Sequence, residues 1–313
     1  MMKMGLVVDS ACDLPLSFLR EQNIEIMPIT LRFGESRYVD RRDPDATLRF
    51  YDQLIPEHGL HAATEPFSVE EIRDLFLDRL VTRFDRVLVI SIASSRSEIF
   101  NNATRASFAI LKGYRERRET AGLEGNFMLR VLDSGQVFTG EGVLVLALLH
   151  WLHKNPEARL DALQGYAEDF KRHVFAYAVP QDLFYLRARA RQRGDRSVGW
   201  LQFQLGSKLD IKPIVEAHQG DTHPIAKVRH FETAVDQIMT RAIERIAGKR
   251  LLTPFVVLSY AGHMKEIHKI PTYQRLKVRA QEAGVVLVES PMSTTAGIYL
   301  GPGAFSLGYA ADG

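Results

Sequence analysis

The chain has 313 residues, 46% hydrophobic and 25% charged, with 40 Lys and Arg against 38 Asp and Glu and a formal charge of +2. That length supports about two domains with a sizeable apolar core, and the balanced charge gives no global attraction to nucleic acid or an anionic membrane surface. The single cysteine, Cys12, excludes an intrachain disulfide and points to a reducing, cytoplasmic setting.

Leu6-Val7-Val8-Asp9 is an apolar run ended by a polar turn, and Pro15 stands where a helix accepts proline at its first position, so the chain opens strand, loop, helix. The pattern predicts a second strand from Ile24 to Leu31, a hairpin turn at Gly34-Glu35 and a helix opened by Pro44. Ser68-Val69-Glu70-Glu71 fits a capping box for a helix to about Val81. Strand Arg86 to Ile92, a polar loop, a helix from Phe100, strand Met128 to Leu132 and a buried helix over Val143 to His153 continue the alternation. The apolar run Gly142 to Leu152 is too short for the ~20 residues a membrane span needs. Asn155-Pro156 caps a helix to about Arg172, and a strand begins at Val174, where the domain boundary is placed. Ile211 to Ala217 and Pro224 to Val228 flank a hairpin loop at His218 to Thr222. A helix from Glu232 to Ile246, strand Phe255 to Tyr260, one helix from Lys265 to Ala283 and strand Val285 to Glu289 finish the prediction. The fold class is therefore two-domain α/β: residues 1–172 form a mainly parallel-sheet domain and 173–313 a smaller mixed one, with a ligand cleft between them.

Common reaction motifs are missing. No Gly-x-Ser-x-Gly elbow, Walker phosphate loop, His-Glu-x-x-His pair or Cys-x-x-Cys occurs, and neither Gly140-Glu141-Gly142 nor Gly301-Pro302-Gly303 carries the third glycine of a dinucleotide fingerprint. His150 and His153 share a helical face without a third ligand nearby, so they read as structural and no metal is expected. Two pairs stand out: Asp9-Ser10 and Asp133-Ser134 each follow an apolar strand, at the carboxyl edge where open α/β sheets bind ligands. Thr64 and the loop Ser91 to Ser97 belong to the same rim. A hydroxyl-rich rim with no activating base suits binding rather than catalysis.

Several ordered blocks resemble the DegV family of bacterial fatty-acid-binding proteins. They are Val7-Val8-Asp9-Ser10-Ala11-Cys12-Asp13-Leu14-Pro15 with Ile26-Met27-Pro28-Ile29 and Tyr38-Val39-Asp40, then Val131-Leu132-Asp133-Ser134 with Gly140-Glu141-Gly142. Leu205-Gly206-Ser207-Lys208-Leu209-Asp210-Ile211-Lys212-Pro213-Ile214, Lys227-Val228-Arg229 and Gly301-Pro302-Gly303-Ala304 complete the set. The resemblance implies the EDD fold and a protein that holds one long-chain fatty acid, tail in an apolar tunnel and carboxylate at the domain junction. It also implies a separate fatty acid kinase as partner, with no catalytic residue or cofactor in the chain itself. A ~16-carbon tail at ~0.8 kcal/mol per buried methylene supplies roughly 11 kcal/mol before ordering costs, so tail burial should dominate affinity.

The resemblance carries ligand-binding roles onto Thr64, Ser94 and Ser97, beside Asp9, Ser10, Asp133 and Ser134. It also exposes departures: Ala63 stands where the family has a threonine, Arg96 enters the serine loop, and Tyr299 replaces the terminal histidine. Arg96 is the candidate to supply the lost positive charge and Tyr299 a neutral hydrogen bond. The arginine-rich stretch Arg187, Arg189, Arg191, Arg193 and Arg196 precedes a turn, and Arg196, Lys227 and Arg229 are the candidate partner-docking residues. Two rival readings are a regulatory interaction protein with altered or lost lipid binding and a subunit of a dihydroxyacetone-kinase-like enzyme. The second would need a cleft histidine that none of the matches supplies.

Overall fold

The computed structural model describes residues 3–55, 62–187 and 210–312. In chain order the first half contains β1 (Met4–Asp9), α1 (Leu16–Glu21), β2 (Glu25–Met27), β3 (Ile29–Phe33), β4 (Ser36–Asp40), α2 (Pro44–Arg49), β5 (Ala62–Pro66), α3 (Val69–Arg79), β6 (Arg86–Ser91), α4 (Ile99–Ala109), α5 (Tyr114–Thr120), β7 (Met128–Asp133), α6 (Thr139–Lys154) and α7 (Leu160–Phe170). The second half contains β8 (Val174–Val179), β9 (Ile211–His218), β10 (Asp221–Arg229), α8 (Phe231–Ala247), β11 (Leu251–Tyr260), α9 (Lys265–His268), α10 (Pro271–Glu282), β12 (Val286–Pro291), α11 (Thr294–Leu300) and β13 (Phe305–Ala311).

Three sheets result. An all-parallel sheet has the order β2-β1-β6-β7, a mixed six-stranded sheet the order β10-β9-β8-β13-β11-β12, and an antiparallel ribbon the order β4-β3-β5. Side-chain alternation along the parallel strands feeds two cores. Leu6, Val8, Leu88 and Ile90 face α6 and α7, whereas Val7, Val87 and Val89 face α3 and α4. Helix α6 is apolar on every side because it lies between two sheets: its core also takes Val174, Val257 and Ala310 from the six-stranded sheet. Helices α8 and α10 cover that sheet's other face through Val235, Ile238, Met239 and Leu276.

Four local expectations are corrected. The single strand over Ile24 to Leu31 is two strands in different sheets, because Pro28 has no N–H to continue the ladder between Met27 and Ile29. The helix over Lys265 to Ala283 is interrupted: Pro271 opens α10 at its first position after Ile270 adopts an extended backbone. The hairpin between β9 and β10 turns on two residues, Gln219 and Gly220, both with positive φ, rather than on a five-residue loop. Strand β5, helix α11 and strand β13 were absent from the pattern reading. Strand β13 is an inner strand, paired with β8 and β11, yet Phe305-Ser-Leu-Gly-Tyr-Ala-Ala has little β-branched character. The capping box at Ser68, the helix opened by Pro44 and the Gly34-Glu35 turn are present as read.

Candidate ligand-binding site

Strands β1, β6 and β7 end side by side, and their loops gather most of the rim residues read from the sequence. Asp9 is fully buried: its Oδ1 accepts the Ala11 N–H at 2.9 Å and its Oδ2 the Ile92 N–H at 2.7 Å. Desolvation outweighs those two bonds and pushes its carboxyl up to about 7. Ser10 accepts from the Ile29 N–H at 3.0 Å, Ser134 accepts from the Gln136 N–H at 3.0 Å, and both side chains are buried. Asp9 thus ties the β1 and β6 loops together, Ser10 ties its loop to β3 and Ser134 braces its own loop, and all three are buried. Asp133 ties loops together nearer solvent. It accepts from the Ser94 N–H at 3.1 Å, from the Ser94 hydroxyl and from the Gly135 N–H at 2.9 Å, while Lys171 Nζ donates to its carbonyl at 2.9 Å. Ser97 is spent locally, accepting from the Ile99 N–H at 3.3 Å.

The β9–β10 hairpin tip closes over this edge. Its Gly220 N–H donates to the Gly135 carbonyl at 2.7 Å, and Ser95 donates to the Gly220 carbonyl at 3.1 Å. Glycine suits position 135 through its φ of +62°, whereas a Cβ there would meet the hairpin backbone only at ordinary van der Waals distance. Arg96, half-buried, donates from Nη2 to the Thr222 hydroxyl at 2.9 Å, so its guanidinium takes part in holding the hairpin. Beyond the tip, Lys227 and Arg229 are exposed on β10, the outermost strand of its sheet. Arg196, the third candidate docking residue, lies outside the described residues.

Thr64 and Tyr299 come together from opposite ends of the chain, their hydroxyl oxygens 3.5 Å apart. Thr64 is two residues from Ala62 on β5 and directly opposite Leu31 on β3, so it continues an apolar face. Tyr299 stands on α11 between Ile298 and Leu300. Ala62, Leu31, Ile298 and Leu300 all belong to one buried cluster with Phe50, Tyr51, Met292 and Ala304, edged by Phe33, Leu54 and Tyr185. A polar pair thus sits beside an apolar region built from the ribbon, α11 and the ends of the six-stranded sheet.

That arrangement depends on a polar clasp which the pattern reading did not find. Asp13 accepts from the Ser259 hydroxyl at 2.5 Å and the Ser293 N–H at 2.7 Å, and its carbonyl accepts from Ser290 at 3.0 Å. Asp40 accepts from the Thr294 hydroxyl and from the Arg42 N–H at 2.7 Å. Arg42, 4% exposed, donates to the Pro291 carbonyl at 2.9 Å and pairs with Asp13 at 4.0 Å; the Tyr51 hydroxyl reaches the Ser293 carbonyl at 2.9 Å. Apart from the two contacts of Arg42 with Asp40 and Asp13, these bonds join the N-terminal half to Ser259 or to residues 290–294, the segment that leads into α11. Burial raises the Asp13 and Asp40 carboxyls despite Arg42, and Glu141 rises well above the usual range through desolvation with Asp9 and Asp13 nearby. The signal in the sequence was the hydroxyl run Ser290-Pro-Met-Ser-Thr-Thr directly after a strand, facing Asp13 and Asp40 in the opening blocks. Among the described residues no three His, Cys, Asp or Glu side chains group as a metal site needs, and no helix is long and apolar enough to cross a membrane.

The DegV family model matches residues 3–312. The chain belongs to the DegV family. A DegV domain-containing protein of Xanthomonas campestris pv. campestris is 42% identical over 311 residues, covering 99% of this chain and 98% of that protein. Among solved structures, a DegV lipid-binding protein of Thermotoga maritima superposes with a TM-score of 0.76 at 20% identity, covering 99% of each chain. DegV of Bacillus subtilis, described as a fatty acid binding protein, gives 0.76 at 20% identity over 100% of each chain. The Streptococcus pneumoniae Fatty Acid Kinase (Fak) B3 protein, loaded with linoleic acid, gives 0.71 at 15% identity over 99% of this chain and 100% of that one. These likenesses establish the DegV fold here, and with it the mixed α/β architecture.

Proposed function

We propose that this DegV protein binds one long-chain fatty acid and offers it to a separate fatty acid kinase, without itself transforming it. The observation that carries the reading is the Thr64–Tyr299 hydroxyl pair at the edge of the apolar cluster. Two hydroxyls 3.5 Å apart are at the outer limit of a hydrogen bond to each other, and a carboxylate oxygen placed between them accepts from both. The tail then runs along the cluster's partly buried edge at Phe33, Leu54 and Tyr185, where each methylene removed from water contributes ~0.8 kcal/mol. The fatty acids bound by family members of the same fold, linoleic acid among them, support this class of ligand.

Arg96 is not the head-group ligand in this reading: it holds Thr222 of the hairpin tip. The division at 172/173 separates the loops of the parallel sheet from the six-stranded sheet, with the ligand between the ribbon and α11. Lys227 and Arg229 form the docking edge for the kinase, since both are exposed on an outer strand and positive charge suits an acidic partner surface. Native mass spectrometry of the purified protein tests the reading: a single co-purified long-chain acid is expected, and delipidated protein should take up one equivalent. Protein that is empty as purified and fails to take up stearic or linoleic acid overturns it and leaves a regulatory interaction role.

A further inference from the structure

We propose a second ligand site on this protein, an anion pocket for a phosphate dianion, lined by Arg20, Arg41, Arg79 and Arg83. The pocket has a volume of about 290 Å³ and lies on the parallel sheet's outer edge, between the end of α1, strand β2 and the residues that follow α3. Four guanidinium groups line it against a single carboxylate, Glu25, leaving three uncompensated positive charges in one concavity.

The arginines divide into two kinds. Glu25, only 15% exposed, accepts from Arg83 Nη1 at 2.5 Å through one oxygen and pairs with Arg79 at 3.5 Å through the other, while Arg83 Nη2 donates to the Asn23 side-chain oxygen. Glu25 and Asn23 thus hold Arg79 and Arg83 in place. Arg20, in the last turn of α1, and Arg41, just past β4, have no ion pair or side-chain hydrogen bond among the described residues. Two fixed and two uncommitted forks around one cavity match a tetrahedral oxyanion, whose several oxygens each accept from a guanidinium edge, better than they match a monovalent ion. Leu16, Ile26 and Pro28 form the remaining wall, which suits a phosphate carried on a less polar group. The pocket shares no residue with the Thr64–Tyr299 cleft, so it is a separate function of the surface.

The shared chemistry is a phosphate group, and its source is either a soluble phosphate or a lipid head group; a titration with two arms separates them. Inorganic phosphate followed by ³¹P NMR and isothermal calorimetry should bind saturably with one equivalent, resist competition by an equal concentration of chloride, and bind at least tenfold more weakly to Arg20→Ser/Arg41→Ser. Phosphatidic acid vesicles against phosphatidylcholine vesicles form the other arm, with the same loss in the double variant; response only there assigns the site to a head group. Fatty-acid retention and the circular dichroism spectrum should be unchanged, since neither arginine supports the fold or the acyl cleft. Absence of binding in both arms, chloride displacing phosphate ion for ion, or equal binding by the double variant overturns the proposal.

Discussion

Asp9, fully buried, and Thr64, half-buried, show how differently two rim side chains behave in the folded chain. Thr64 offers a hydroxyl beside an apolar face, and so does Tyr299. Hydrogen bonds to a charged acceptor contribute ~1.5–3 kcal/mol each, so Thr64→Val and Tyr299→Phe should each weaken fatty-acid binding roughly tenfold or more without unfolding the protein. A competition assay with a fluorescent fatty acid measures this; affinity equal to wild type in both would remove the head group from this pair. Asp9, by contrast, holds its proton to about 7 in the folded state against 3.8 as an isolated group. The folded protein therefore binds more protons than the unfolded chain between those values, and stability falls as pH rises from about 4 through 7, by up to ~1.4 kcal/mol per pH unit from this one group. The raised Asp13, Asp40 and Glu141 carboxyls act with the same sign. Urea midpoints should be higher at pH 5 than at pH 8, with a flatter dependence in Asp9→Asn; a midpoint that climbs with pH would contradict the assignment.

At the scale of elements, α11 is a seven-residue helix whose position is set by what it is bonded to rather than by its own propensity. Thr294 and Ser293 at its start are held by Asp40 and Asp13, and Gly297 lets it lie against Tyr51, whose ring and hydroxyl occupy the space a Cβ would need. Thr294→Val keeps the shape but leaves a fully buried carboxylate short of a donor, so it should cost ~1–3 kcal/mol in denaturant unfolding. Gly297→Ala should both destabilise and reduce fatty-acid affinity, because α11 can escape Tyr51 only by moving Tyr299 away from Thr64; hydrogen exchange over 293–300 would report the loosening. Elements with strong local signals were legible in the sequence: the Ser68 capping box, the helix opened by Pro44, and the apolar run that became α6. Pro28 and Pro271 are equally local signals, and each divides one predicted element into two. Strand β13 was not legible, since Gly308 and three alanines or serines make a strand only because β8 and β11 flank them.

Across the whole molecule, α6 packs one half against the other, and two sets of polar contacts add to it. One is the buried clasp at residues 290–294, the other the hairpin tip held by Gly135, Ser95 and Arg96 through a few hydrogen bonds nearer the surface. A ligand lying between the ribbon and α11 stabilises the folded state by mass action, about 2.7 kcal/mol at a hundredfold excess over Kd. Adding stearic acid to delipidated protein should therefore raise the melting temperature, and an unchanged transition would argue against a ligand buried at this junction. Replacing Lys227 and Arg229 by glutamate should lower acyl-phosphate formation by an added kinase while leaving fatty-acid uptake intact; equal turnover would place docking elsewhere.

The sequence by itself determined the strand and helix alternation of the parallel domain and the family blocks, and it named Thr64 and Tyr299 separately as candidate ligand residues, because periodicity, caps and short motifs are local and survive without contacts. Tertiary structure alone decided which polar side chains are drawn into holding the loops together. Asp9, Ser10 and Ser134 are buried against backbone N–H groups, and Arg96 donates to Thr222. It also created the Asp13–Asp40–Arg42 clasp and the four-arginine pocket, each assembled from separate segments of the chain. Burial and partner choice are properties of the packed chain, and no local pattern encodes them.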